Sequence, residues 1–318
     1  MNSSLRLSVI ILNWNVCDLL RNCLRSFYEN IQLSDDIFEV IVVDNDSQDQ
    51  SKAMLRLEFP QVILIEHDSN PGYGRGCESG YALARGDYVW LLNPDTLILD
   101  DAVTTLLSRF DAEPRLGVLG PRLLNGDRTL QRAAAGAFPT LWNTAWNYFF
   151  LRKLLPQGWA PAPIFLEQDI QGTFTMDWVS GAAMMMRREA LGDYVADDAF
   201  FKYADDLDIS ERVRKRGWKV KYTSDCSIVH FQGRSLQHQT DPDILMRAHK
   251  GGPRRFFGRH RGLIACFAYD SMVIFGHLIR WLLYSTLAII NPSGRYSKMT
   301  AFSKQYILTM LRALWRRG

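Results

Sequence analysis

Carboxylates and carboxamides gather at a few points of this 318-residue chain, and those points are where chemistry would occur. Asn13-Trp14-Asn15, Asp44-Asn45-Asp46-Ser47 and Asn93-Pro94-Asp95-Thr96 each follow directly on an apolar run. Tyr203-Ala-Asp-Asp-Leu-Asp208 sets Asp205 and Asp206 side by side, with Asp208 beyond them. A carboxylate can hold a hard divalent cation through oxygen or take a proton from an attacking hydroxyl. Adjacent carboxylates raise each other's proton affinity, which suits a base working near neutral pH. The same residues have plainer uses. Asn and Asp form Asx turns after strands, and Asp205 or Asp206 could cap a helix in which Arg212 pairs with Asp208 across one turn. Asn70-Pro71-Gly72 and Gly74-Arg75-Gly76 make a glycine-rich loop that lets backbone approach a ligand, with Arg75 in reach of phosphate. It is not a dinucleotide fingerprint: GxGxxG begun at Gly72 meets Cys77 at its last glycine, and begun at Gly74 meets Ser79.

The elements that must position these groups are legible from periodicity. Leu7-Ser-Val-Ile-Ile-Leu12, Phe38-Glu-Val-Ile-Val-Val43, Val62-Ile-Leu-Ile65 and Tyr88-Val-Trp-Leu-Leu92 are short apolar runs of the kind a sheet buried on both faces produces. Helices are expected over 16–30, 51–59 and 79–84. Strand and helix therefore alternate as in an α/β doubly wound sheet, whose ligands sit beyond the carboxyl ends of the strands. Ala183 to Met186 reads as a further strand with its methionines in the core, and Ile209 to Arg216 as a helix. Residues 139–163 are rich in Trp, Phe and Pro without clear alternation and read as a long connection, either near an acceptor or packing aromatics on the core.

The pieces SVIILNWN, VIVVDNDSQDQS, NPGYGRG, GDYVWLLNPDT, DWVSGAAMMMRREAL, FFKYADDLDISERVRKRGW and IVHFQGRS occur in this order from about Ser8 to Ser235. Together they resemble a family 2 glycosyltransferase of the bacterial rhamnosyltransferase-like group. The resemblance implies a GT-A nucleotide-sugar-binding fold, a Rossmann-like mixed, mainly parallel sheet flanked by helices. It implies inverting transfer of a sugar from a nucleotide diphosphate to an acceptor hydroxyl, with a general base and no enzyme nucleophile. On it, Asp206 is the base with Asp205 beside it. Asn13, Asp44, Asn45, Ser47, Asn70, Gly72, Arg75, Asn93 and Gly181 line the nucleotide and donor site, with Arg234 and Ser235 adding diphosphate contacts. Asp95 and His230 would meet a divalent metal, Mg²⁺ or Mn²⁺. Asn93 stands where many relatives carry the first Asp of Asp-x-Asp, which leaves the metal less protein charge. The resemblance points to rhamnose from deoxythymidine diphosphate, with uridine diphosphate sugars next, and to a glycan or polyprenyl-diphosphate-linked acceptor in surface polysaccharide assembly. Two other readings share the fold: a non-catalytic sugar-nucleotide-binding scaffold, and a nucleotide-dependent oxidoreductase, against which the missing fingerprint counts.

Charge divides the chain. Residues 1–243 carry a net −9, whereas residues 244–318 hold 13 Lys/Arg against one acid, Asp270, for +12. We therefore expect a catalytic domain over 1–243 and a basic, helical, membrane-associating region over 244–318. The apolar residues among the cations favour an anionic membrane surface over nucleic acid as the partner. Asp270 and Arg280 interrupt the apolar stretch 263–290, so a membrane span is not expected there, whereas Ser297 to Trp315, with Phe302, Tyr306 and Met310 at helical spacing, is the stretch expected to lie in a membrane interface. Packing on the catalytic domain or on a second subunit, in a homo-oligomer, is the rival reading. Five cysteines with no CxxC pair, and no recognisable signal peptide, place the expected protein in the cytoplasm, peripheral on the inner face of the inner membrane.

Overall fold

The computed structural model describes residues 5–34, 37–196, 204–231, 252–290 and 294–315, with side chains as far as residue 311. Arg234 and Ser235 lie outside the described residues. The chain forms two units, residues 1–138 with 164–252 and residues 139–163 with 253–318. The segment 139–163, expected as a connection, thus groups with the C-terminal helices.

The first unit begins β1 (Leu7–Asn13), α1 (Cys17–Asn30), β2 (Phe38–Asp44), α2 (Ser51–Glu58), β3 (Ile63–Glu66), α3 (Tyr73–Leu83), β4 (Tyr88–Leu92), β5 (Thr96–Ile98), α4 (Ala102–Ala112), β6 (Leu116–Leu124) and β7 (Ala135–Gly136). The chain then enters the second unit as α5 (Leu141–Tyr148) and α6 (Leu151–Leu154). It returns as β8 (Thr173–Thr175), β9 (Trp178–Val179), β10 (Ala183–Arg187), α7 (Arg188–Leu191), α8 (Asp205–Lys215) and β11 (Lys219–His230). The main sheet runs β3-β2-β1-β4-β10-β6-β11-β5, with β8 on β11. β3, β2, β1 and β4 are parallel, as their unbroken apolar runs require. β10 enters antiparallel between β4 and β6, while β11 lies parallel to β6 and antiparallel to β5 and β8. Met184, Met185 and Met186 are fully buried, together with Trp90 of β4, Phe27 of α1 and Phe110 of α4.

One element differs from expectation in a way that bears on the site. α3 starts at Tyr73, so Gly74, Arg75 and Gly76 are helical rather than a loop. A Cβ on Gly76 would come within 2.6 Å of Leu12 Cδ2, and one on Gly80 within 2.5 Å of Ile10 Cγ2. These glycines let α3 lie directly on β1, and of the cluster only Gly72, at φ 93°, needs the left-handed backbone.

The second unit adds α9 (252–260), α10 (Leu263–Ile290) and α11 (Arg295–Trp315) to α5 and α6. α5 opens with a capping box between Thr140 and Asn143. Its last carbonyls, at Asn147 and Tyr148, accept from the Arg280 guanidinium at 2.5 and 2.6 Å, where a cation complements the helix dipole. Arg254 Nε lies 2.8 Å from each carboxylate oxygen of Asp270 and donates to them. His277 stacks on Tyr306 of α11 at 3.9 Å, beside a cluster of Phe257, Cys266, Tyr269, Val273 and Met310. α10 is one unbroken helix, apolar and long enough to cross a bilayer by length and composition, with a mean hydropathy of 1.7 in its most apolar window.

Candidate active site

The carboxyl ends of β1, β2 and β4 bring the expected polar clusters together. Asn13 Nδ2 donates to Asp44 Oδ2 at 2.7 Å and to Ser47 Oγ at 3.0 Å, and the Ser47 backbone N–H donates to Asp44 Oδ1 at 2.8 Å. Asp44 is 0% exposed with both oxygens engaged, so it braces this wall instead of facing solvent. Asn15 and Asp46 hold left-handed backbone at φ 54° and 63°, a conformation that short polar side chains tolerate. Asn45 joins the wall to the start of α3. Its amide donates to the Gly72 carbonyl at 3.3 Å and its Oδ1 lies 3.0 Å from His67 Nδ1. Asn70 Oδ1 accepts from the Gly72 N–H, which closes the turn that leads into α3, and Arg75 is exposed one turn on.

Asp95 stands just beyond β4 and is 1% exposed, yet among the described residues neither carboxylate oxygen has a hydrogen-bond partner. His230, the last residue of β11, points its Nε2 at Asp95 Oδ1 from 3.4 Å, and Asn93 Nδ2 lies 3.4 Å from the same nitrogen. The pairing of β5 with β11 sets Thr96 opposite His230, and the Phe231 N–H donates to the Asp95 carbonyl, so the two side chains are held by backbone. Among the described residues no three His, Cys, Asp or Glu converge on one point. The pair nevertheless fits a divalent cation, because a buried carboxylate without donors is costly unless positive charge reaches it. Such a site would take its remaining ligands from a diphosphate and water. Cys23 lies beneath, its Sγ 3.3 Å from Thr96 Oγ1. Burial pushes its thiol up to about 12, so it is neutral and no nucleophile.

Asp206 occupies the first turn of α8. Burial raises its carboxyl to about 6, against the pull of hydrogen bonds from the backbone N–H groups of Leu207 and Gly181. Asp205 and Asp206 do not cap α8: its N-cap is Ala204, with no side-chain cap. Asp208 is spent on Arg212, 2.8 Å from its Nε, and Arg212 also donates to the Tyr194 and Val195 carbonyls. The expected i,i+4 pair is therefore present, and Asp206 is left to face the site. A Cβ on Gly181 would lie 3.7 Å from Tyr73 Oη and 3.8 Å from Asp206 Cβ, which puts this glycine beside Asp206. The Ser180–Ala182 turn couples the two halves, since the Ala182 carbonyl accepts from the Asn93 N–H at 2.9 Å while the Gly181 N–H supports Asp206.

Three residues escaped the sequence reading. Tyr73 places its hydroxyl beside Gly181, its phenol pushed up by burial and then by Cys77 and Asp205. Glu78 accepts from the Val195 and Ala196 N–H groups at 2.6 Å and anchors the chain there. Gln131 lies 2.7 Å from His230 Nδ1. The first two sit in the glycine-rich segment, where a signal existed; a lone Gln after Thr-Leu carries none.

The family model described as Glycosyl transferase family 2 matches residues 8–195. The chain is 26% identical over 238 residues to an N-acetylglucosaminyl-diphospho-decaprenol L-rhamnosyltransferase of Mycobacterium tuberculosis, covering 70% of this chain and 76% of that one. It is 21% identical over 221 residues to the rhamnosyltransferase WbbL of Escherichia coli, covering 65% and 78%. Among solved structures, a mannosyltransferase of Pyrobaculum calidifontis in complex with GDP-mannose and Mn²⁺ superposes with a TM-score of 0.52 at 16% identity, covering 98% of this chain and 88% of that one. GalNAc-T7 with UDP, GalNAc and Mn²⁺ gives 0.53 at 13% identity, covering 71% and 44%. The shared architecture is the GT-A fold.

Proposed function

The chain belongs to glycosyl transferase family 2, and on that premise we propose an inverting, metal-assisted transfer of rhamnose from deoxythymidine diphosphate rhamnose to a polyprenyl-diphosphate-linked glycan. The observation that carries the reaction type is Asp206: a carboxyl raised to about 6, held by the turn that also fixes the end of β4. A group with that proton affinity is ionised at neutral pH yet basic enough to take a hydroxyl proton as the bond forms. The acceptor oxygen then bonds to the anomeric carbon, its proton passes to an Asp206 oxygen, and the bond to the donor phosphate breaks with its electrons on the leaving diphosphate. One displacement inverts the anomeric centre. Asp95 and His230 are the residues that would hold Mg²⁺ or Mn²⁺, and such an ion supplies charge neutralisation for the departing diphosphate. Rhamnose and the polyprenyl-linked acceptor are supported by what the M. tuberculosis and E. coli relatives are named for.

The second unit supports a place at an anionic membrane. Every exposed side chain along α10 is uncharged: Leu263, Ile264, Phe267, Ser271, Phe275, Leu278, Leu282, Leu283, Thr286, Ile289 and Ile290. Exposed Arg295, Lys298 and Lys304 of the same unit complement acidic headgroups. In the first half of α10 the other face is covered within its own unit, at Cys266, Tyr269, Asp270, Val273, Gly276 and His277, and α10 is read as lying in the interface. The reading places the enzyme on the cytoplasmic side, where nucleotide sugars are made.

The decisive experiment is a donor panel with Mg²⁺ or Mn²⁺ and a short polyprenyl-diphosphate N-acetylglucosamine acceptor, followed by nucleoside diphosphate release and product NMR. Deoxythymidine diphosphate release with inverted anomeric configuration is expected. Release from another donor alone would reassign the sugar, and retention of configuration would overturn the role of Asp206.

A further inference from the structure

Gln131 is 3% exposed and follows a tight turn after β6. Its carboxamide meets three groups: Oε1 lies 2.7 Å from His230 Nδ1, and Nε2 lies 3.3 Å from the His230 carbonyl oxygen and 3.2 Å from Asn125 Oδ1. A backbone carbonyl only accepts, so the NH₂ end must face it and the oxygen must face the ring, which settles the amide orientation by the network itself. His230 Nδ1 therefore carries the proton. In the neutral ring, Nε2 then presents a lone pair towards Asp95 Oδ1 and the Asn93 amide, each 3.4 Å away, and among the described residues neither carboxylate oxygen has a donor. Electron pairs on both sides of a buried gap call for a cation.

We propose that Gln131 is a positioning residue that fixes the Nδ1–H tautomer of His230 and so aims Nε2, together with Asp95, at one divalent cation. The proposal rests on the metal-assisted reading above. Gln131 is itself rigidly placed: its N–H donates to the Leu123 carbonyl. The turn before it is locked by Asn125 Nδ2 on Thr129 Oγ1 at 2.9 Å and by the Thr129 N–H on Asp127 Oδ1 at 3.0 Å. Such partners of a metal-binding histidine change metal affinity by about 10–100-fold when lost.

The test compares the parent, Gln131→Leu and Gln131→Glu at about pH 8, where an ordinary imidazole is neutral. Mn²⁺ binding is titrated by electron paramagnetic resonance with and without deoxythymidine diphosphate and uridine diphosphate, in the absence of donor sugar and acceptor, and the tautomer is read from ¹⁵N-histidine spectra of the metal-free chain, with His230→Ala to assign the signal. Gln131→Leu removes the acceptor and is expected to weaken Mn²⁺ binding about 10–100-fold and erase the Nδ1–H signature. Gln131→Glu keeps an acceptor at Nδ1, while its second oxygen must carry a proton to meet the His230 carbonyl and Asn125 Oδ1 that the amide NH₂ faces; it is expected to retain the Nδ1–H signature and most of the Mn²⁺ affinity. Parental Mn²⁺ affinity and tautomer in Gln131→Leu would overturn the proposal, as would equal loss in the Leu and Glu variants, which marks a merely structural residue. If Gln131→Leu does not fold, loss of the tautomer in Gln131→Glu overturns it and retention supports it. Absence of Mn²⁺ binding by the parent overturns the cation assignment, and diphosphate release scores the transferase reading separately.

Discussion

Replacing Asp206 by Asn tests the base and its environment with one substitution. Burial raises this carboxyl from 3.8 to about 6, a difference that sets about 3 kcal/mol against the charged form. The folded chain binds this proton more tightly than the unfolded chain. Asp206 thus favours folding most below about pH 4, and that contribution is lost as pH rises through about 6. Asn carries no such penalty, and its amide oxygen can still accept from the Leu207 and Gly181 N–H groups. The stability gain of Asp206→Asn over the parent is therefore expected to grow from near zero at about pH 4 to about 2–3 kcal/mol at about pH 8, measured as urea unfolding of both proteins. Transfer is expected to fall about 10²–10⁴-fold, with nucleotide binding kept. The parent's turnover should rise through about pH 6 to a plateau, because only the ionised carboxylate accepts a proton. A stability difference independent of pH would refute the burial argument, and parental turnover in the variant would refute the role.

Gly181→Ala adds a methyl at ordinary contact distance, 3.7 Å from Tyr73 Oη, and should fold and work; Gly181→Val has no such room and should cost at least about tenfold in kcat/KM with the unfolding midpoint nearly unchanged. Asp270→Ala leaves the Arg254 guanidinium without the carboxylate that takes both hydrogen bonds, and should destabilise the second unit by about 3 kcal/mol in calorimetry. Changing both partners to apolar residues of similar volume should recover most of that loss. Phe275→Glu sets a charge on the bare face of α10 and should reduce co-sedimentation with vesicles containing acidic lipid, while transfer to a water-soluble acceptor analogue is retained; unchanged sedimentation would remove α10 from the contact.

The parallel half of the sheet was legible because β1, β2 and β4 are short β-branched runs buried on both faces, and a strand that touches no solvent leaves no polar interruption to misread. α3 was harder. Its glycines break the helical pattern in sequence, yet they are what allow the helix to rest on Ile10 and Leu12, so a packing requirement looks like a loop. The site divides the same way. Asp95, His230, Gly181 and Asp206 could be found from ordered motifs, and the structure brings Asp95 to His230 and Gly181 to Asp206. That Asp208 is the carboxylate paired with a cation, while Asp206 takes only backbone N–H groups among the described residues, could not be read from spacing, because it depends on where Arg212 reaches. Gln131 was invisible because it acts through β11, about a hundred residues away in sequence, by a hydrogen bond that no local pattern encodes.

α10 shows why counting charges along a sequence can mislead. Asp270 and Arg280 look like interruptions of an apolar stretch, and in an isolated helix they would be. In the folded unit they lie away from the bare stripe, Asp270 on Arg254 and Arg280 on the carbonyls that end α5, so neither disturbs the exposed face. A helix of 28 residues extends about 42 Å, and its exposed side carries only apolar, Ser and Thr side chains throughout. Had the charges served to keep that face wet, they would point outward. Their inward pairing frees the face for an apolar medium, while the cations of α11 remain available to acidic headgroups. The polar residues that argued against a membrane span in sequence are thus the ones that hold α10 to its own unit.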